Sequence, residues 1–281
     1  MKERSVHKTV RGKRAIDGAG VHLVRVIGYR TVKDFDPFLM LDAFDSTNPD
    51  DYIAGFPFHP HRGIETVTYL VKGSMEHQDS LGNKGVIVDG SCQWMTAGSG
   101  IMHQEMPQAS EHMLGLQLWI NLPAKNKMAT PKYRDLTSEN IPAVQENGAV
   151  VRVLSGTYKD TPGAMQADYV QASYFDIELE PNAGLSVNTR AGETVFFYIM
   201  TGSTSVAGAE QLAAKQAVLL DDGDVVHFKA GAEGARLMLL MGAPLKEPVA
   251  WGGPIVMNTD DELRTASFEL ENNTFIKERG A

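Results

Sequence analysis

Between residues 56 and 122 the chain is broken by glycine-containing turns at short intervals: Lys72-Gly73-Ser74, Leu81-Gly82-Asn83-Lys84-Gly85, Asp89-Gly90 and Ala97-Gly98-Ser99-Gly100. The segments between them are rich in β-branched and aromatic residues and too short for stable helices. Many short strands with closely spaced turn signals predict an all-β sandwich or barrel rather than a parallel α/β sheet. Residues 21–27, 38–44 and 114–120 read as further strands of the same set.

A second constraint is internal repetition. His59-Pro60-His61-Arg62-Gly63-Ile64-Glu65-Thr66-Val67 aligns without gaps on Val187-Asn188-Thr189-Arg190-Ala191-Gly192-Glu193-Thr194-Val195. The turn Lys72-Gly73-Ser74 has its counterpart at Thr201-Gly202-Ser203, and Asp89-Gly90 with Ala97-Gly98 matches Asp222-Gly223 with Ala230-Gly231. Two copies of one β domain are therefore expected. We divide the chain into an N-terminal metal-binding domain (1–122), a charged connector with Pro123, Pro131 and Pro142 (123–148), and a C-terminal domain (149–281). The last of these ends in a short helix, announced by the capping box Thr259-Asp260-Asp261-Glu262.

The two copies differ where chemistry is expected. In a strand, residues i and i+2 point to the same face, so His59 and His61 aim together, as do His103 and Glu105. On the alignment above the second copy carries Val187, Thr189, Arg236 and Met238 at those positions. Joint loss of all four, against retention of turn glycines and of the Arg/Glu-Thr-Val frame, argues for one functional unit in the first copy. Two such pairs facing each other inside a barrel suit a divalent metal ion. Imidazole and carboxylate accommodate Fe(II), Mn(II), Co(II), Ni(II) and Cu(II), and also Zn(II). Cys92 is the single cysteine, so a thiolate zinc site and an intrachain disulfide are both excluded, and an open, reactive centre is favoured over a closed structural one. Glu65 is the rival carboxylate, since strand parity puts it on the face of His61. Its counterpart Glu193 persists in the copy without ligands, which assigns Glu65 to the scaffold beside Arg62 and makes Glu105 the better ligand. His77, His112 and His227 lack ligand-spaced partners and read as structural or exposed.

Net charge and hydropathy narrow the rest. A formal charge of −9 over 281 residues argues against direct nucleic-acid binding, and no apolar run is long enough to span a bilayer. The charged N-terminus lacks the apolar core of a secretory signal, so a cytoplasmic protein is expected, or a nuclear one in a eukaryotic cell.

These motifs resemble a known family. H-x-H-x-x-x-E from His59 to Glu65, with Gly73 beyond, is similar to the first motif of the cupin superfamily, and Gly90 through Gly98 to His103 to the second. More specifically, residues 59–70, the stretch Gln93–Pro107 around His103 and Glu105, and Asn121-Leu122-Pro123-Ala124-Lys125 resemble the pirin family. The resemblance implies a bicupin, two tandem cupin (jelly-roll β-barrel) domains of which the first alone binds metal. It implies Fe(II) held by His59, His61, His103 and Glu105, with the carboxylate coming from the second motif, unlike the wider cupin pattern. It also implies a quercetin 2,3-dioxygenase-like activity, opening a flavonol with O2 and releasing CO, in which Glu105 doubles as general base. The alternative implied is an iron-dependent regulatory protein, a transcription co-regulator or metabolic-enzyme modulator, that binds protein partners without turnover.

Overall fold

The computed structural model describes residues 1–277, and the chain separates into two compact β units, each discontinuous in sequence. One comprises Lys13–Val32, Phe38–Ser138 and Leu245–Ala281; the other comprises Met1–Gly12, Lys33–Pro37 and Glu139–Pro244. Among the described residues, no helix is long and apolar enough to cross a membrane.

The unit containing His59 is built on two antiparallel sheets. A seven-stranded sheet carries, from edge to edge, Lys132–Leu136, Cys92–Thr96, Ile64–Lys72, Met113–Asn121, Phe38–Ser46, Val21–Ile27 and Lys13–Asp17. A four-stranded sheet carries Phe56–His61, Ile101–Gln108, Ser74–Asp79 and Lys84–Ile87. Alternation decides which side chains turn inward. In Ile101–Gln108 the residues at 101, 103, 105 and 107 are buried and those between are partly exposed, so His103 and Glu105 share the inner face. A hairpin, Ala250–Gly252 with Ile255–Met257, and the helix Asp260–Glu271 complete this unit. The helix starts at Thr259 with the expected capping box.

The other unit is a nine-stranded antiparallel sheet in which Thr194–Val206 and Val225–Gly242 are the long members. It encloses an apolar core, with Val153, Ile177, Val187, Phe197, Val226 and Leu237 among the fully buried side chains.

Three differences from the sequence reading have physical causes. The C-terminal hairpin and helix group with the histidine-containing unit, whereas Val6–Arg11 pairs with Gln216–Leu220 in the other; adjacency in sequence does not fix where a terminal segment docks. Part of the expected connector is strand, because Lys132–Leu136 pairs with Cys92–Thr96. It is an edge strand, and the charges at Lys132, Arg134 and Asp135 that protect such an edge make it look like loop. The repeat register also changes. His59 pairs with His103, and its counterpart Val187 pairs with Val226, so Val226 and Phe228 stand where His103 and Glu105 do, not Arg236 and Met238. Asp89-Gly90 precedes the strand Cys92–Thr96, whereas Asp222-Gly223 follows Gln216–Leu220; Asp-Gly closes many turns, and equal spacing here joined two unlike ones. The contrast survives the correction, since Val226 and Phe228 are buried and apolar.

Candidate metal centre

The strands Phe56–His61 and Ile101–Gln108 run antiparallel with His61 opposite Ile101 and His59 opposite His103. Register then shifts before Glu105, which faces Phe56 on one side and His77 on the other. Such a bulge re-aims side chains along the strand. The result brings ligand-type nitrogens of His59, His61 and His103 within 4.8 Å of one another. The His103 Nε2 lies 4.0 Å from the Glu105 Oε2.

Hydrogen bonds fix two of the three tautomers. His59 Nδ1 donates to the Pro57 carbonyl at 2.9 Å, and His61 Nδ1 donates to the Pro254 carbonyl at 3.0 Å. A carbonyl oxygen only accepts, so each Nδ1 carries the proton and each Nε2 presents a lone pair. Those two Nε2 atoms stand 3.0 Å apart, and both ring nitrogens of the buried His103 lack a hydrogen-bond partner among the described residues. Lone pairs converging in a buried place repel unless a cation or a proton sits among them. Burial, reinforced by the neighbouring His59, pushes His61 down to about 3. The same cause, with His61 and His59 added, pushes His103 well below its ordinary range. A proton is thus disfavoured, and neutral imidazoles of this kind are what a divalent metal requires. These residues fit a metal ion.

Glu105, only 1% exposed, is held by two donors: Thr68 Oγ1 at 2.8 Å to one oxygen and Gln117 Nε2 at 2.7 Å to the other. Glu65 sits on a different strand, where it accepts from Thr96 Oγ1 at 2.6 Å. Arg62 faces away from the histidines. It donates to the carbonyls of Ser99 (2.7 Å) and Phe275 (2.8 Å) and pairs with Glu269 at 2.7 Å, rather than serving Glu65 as expected. His77 is buried against Tyr133, while His112 and His227 bond to Asp45 and Ser186 near the surface. Cys92 is buried, and its thiol is pushed upward by burial.

A cavity of about 680 Å³ opens onto His59 and His61. Its walls combine Met40, Phe56, Trp119 and Trp251 with the polar groups of Arg25 and Gln117. Trp119 meets His61 edge-on at 5.0 Å. Volume and mixed lining fall in the range of small-molecule sites. Sequence reading missed Gln117, Trp119, Pro254 and Trp251. Gln117 was detectable as a lone polar residue in the apolar run 114–120, whereas a backbone carbonyl such as that of Pro254 leaves no signal in the side-chain alphabet.

Fold and site together define a bicupin with a three-histidine centre in one of its two β units. The chain belongs to the pirin family: residues 20–120 match the family model described as pirin, and residues 174–276 match the pirin C-terminal cupin domain. A Pseudomonas aeruginosa protein provisionally named a quercetin 2,3-dioxygenase is 44% identical over 271 residues, covering 94% of this chain and 95% of that one. Human pirin is 37% identical over 276 residues, covering 96% and 93%. The crystal structure of a quercetin 2,3-dioxygenase from Acinetobacter baumannii aligns with a TM-score of 0.89 at 30% identity, covering 97% of this chain and 98% of that one.

Proposed function

We propose that this protein is a mononuclear iron(II) dioxygenase of the pirin type. In this reading it opens the ring of a flavonol such as quercetin with O2 and releases CO. The observation that carries the reading is the convergence of histidine lone pairs beside a cavity lined by aromatic side chains. His59, His61, His103 and Glu105 are the proposed ligands. Bound iron would supply Lewis acidity toward the flavonol oxygen and one-electron chemistry toward O2.

The chain's own residues do the rest. Trp119, Trp251, Phe56 and Met40 take the flat aromatic body of the substrate and exclude water from it. The Pro57 and Pro254 carbonyls hold two imidazoles in the ligand tautomer. Thr68 and Gln117 hold the carboxylate of Glu105, the proposed acceptor of the substrate's 3-hydroxyl proton.

The test is direct. Protein loaded with Fe(II) is incubated with quercetin under air while flavonol absorbance and CO are followed, with His103→Ala as the control. Loss of flavonol with CO release in the wild type alone supports the reading. Absence of turnover, or equal turnover by the variant, overturns it and leaves the iron-dependent interaction role, which a pull-down in the Fe(II) and Fe(III) states would then examine.

A further inference from the structure

The Pro254 carbonyl that fixes His61 Nδ1 belongs to a hairpin and lies 193 residues further along the chain. The hairpin is seated by a small set of contacts. Val256 N donates to the Arg62 carbonyl at 3.1 Å, and Ile255 forms an isolated bridge with Arg62. The ammonium of Lys127 donates to the Val256 carbonyl at 2.9 Å, to the Gly63 carbonyl at 2.8 Å and to Asn121 Oδ1. One side chain, 2% exposed, thus ties together the hairpin, the turn after His61 and the end of the strand Met113–Asn121. A buried ammonium is costly unless acceptors surround it, and here three do. Gly63 makes room for the seat. Its φ is +76°, and a Cβ there would stand 2.0 Å from the Val256 carbonyl oxygen.

We infer that Lys127 is a positioning residue for the metal centre, docking the C-terminal hairpin so that the Pro254 carbonyl holds His61 with its Nε2 lone pair aimed at the cluster. Trp251 on the same hairpin lies 5.8 Å from Trp119, which in turn packs on His61. A displaced hairpin therefore disturbs the imidazole both through its hydrogen bond and through its packing. The inference rests on the metal reading of the three histidines, and it is independent of which reaction, if any, the site performs.

The experiment uses the full chain with Co(II) as probe and nitrogen-15 histidine spectra as the second readout. In the metal-free wild type His61 should be the Nδ1–H tautomer; an Nε2–H tautomer overturns the inference. Lys127→Met keeps the volume and removes the donor. It should leave His59 unchanged, give His61 mixed tautomers, and weaken Co(II) binding by about 10–100-fold, the usual effect of losing a partner that orients a ligand. Gly63→Ala attacks the same seat from the opposite side and decides the matter if Lys127→Met does not fold. Folded variants with the wild-type His61 tautomer and wild-type Co(II) affinity overturn the inference. A wild type that takes up no Co(II) counts against the metal reading, and the tautomer measurement still decides the role of Lys127.

Discussion

The ligand assignment predicts a sharp difference between two buried glutamates. Glu105→Gln and Glu65→Gln are near-isosteric, and each removes a charge of the same sign from the interior of the same unit. Glu105 Oε2 stands 4.0 Å from the His103 Nε2, within reach of a cation shared by the histidines. A pair of unit charges at about 4 Å is worth roughly 4 kcal/mol at an effective dielectric of about 20, and a divalent ion doubles it before desolvation is subtracted. If about a third of that sum survives, the loss is close to 3 kcal/mol, or roughly 100-fold in affinity. Glu65→Gln keeps an oxygen for Thr96 and removes no charge from the strand that carries His103, so its metal affinity should stay within about threefold of wild type, under about 0.7 kcal/mol. Anaerobic Fe(II) titration against a chromophoric chelator measures both, and thermal melts check that each variant folds. Metal binding that survives Glu105→Gln but fails in Glu65→Gln would refute the assignment and restore Glu65 as the ligand.

Other outcomes follow from the scaffold. Burial pushes Lys127 from its ordinary 10.5 down to about 7, so between those values the unfolded chain holds a proton that the native state has released. Stability should rise with pH across that window, by less than the roughly 5 kcal/mol of the full shift because the Gly63, Asn121 and Val256 oxygens favour the ammonium, and be insensitive to this group below it. Urea melts of the wild type and Lys127→Met across the window test this, and a difference independent of pH would sink it. Phe197→Ala empties a fully buried site in the other unit, where the ring meets Phe228 at 5.1 Å, and should cost about 3–5 kcal/mol while leaving metal content unchanged. Thr259→Ala removes the acceptor for the Glu262 amide at the start of the C-terminal helix and should cost about 1 kcal/mol, read as a small shift in the melting midpoint.

What was legible in the sequence was what repeats with the period of a strand. Turn glycines and alternating runs gave the β architecture, and the His59/His61 and His103/Glu105 spacings gave two pairs of which the fold clusters the three histidines, with Glu105 4.0 Å from His103. The capping box at Thr259 gave a helix start to the residue, because a cap is a local contact between side chain and backbone. What failed was long-range bookkeeping. Lys132–Leu136 was hidden by the charges an edge strand needs, and the counterparts of His103 and Glu105 were misplaced because one Asp-Gly turn looks like another.

The deeper gap concerns backbone atoms. His61 presents an Nε2 lone pair only while its Nδ1 keeps the proton, and what Nδ1 donates to is a carbonyl that any residue at position 254 could offer. What brings the carbonyl there is a glycine at 63 that lets two backbones meet, and an ammonium at 127 that holds them. Residues of this kind look structural by every local criterion. They become visible as part of the site only when the hydrogen bonds of the ligands are followed outward one partner at a time, which places Lys127 and Gly63 beside the histidines as the positions where substitution should be felt at the metal.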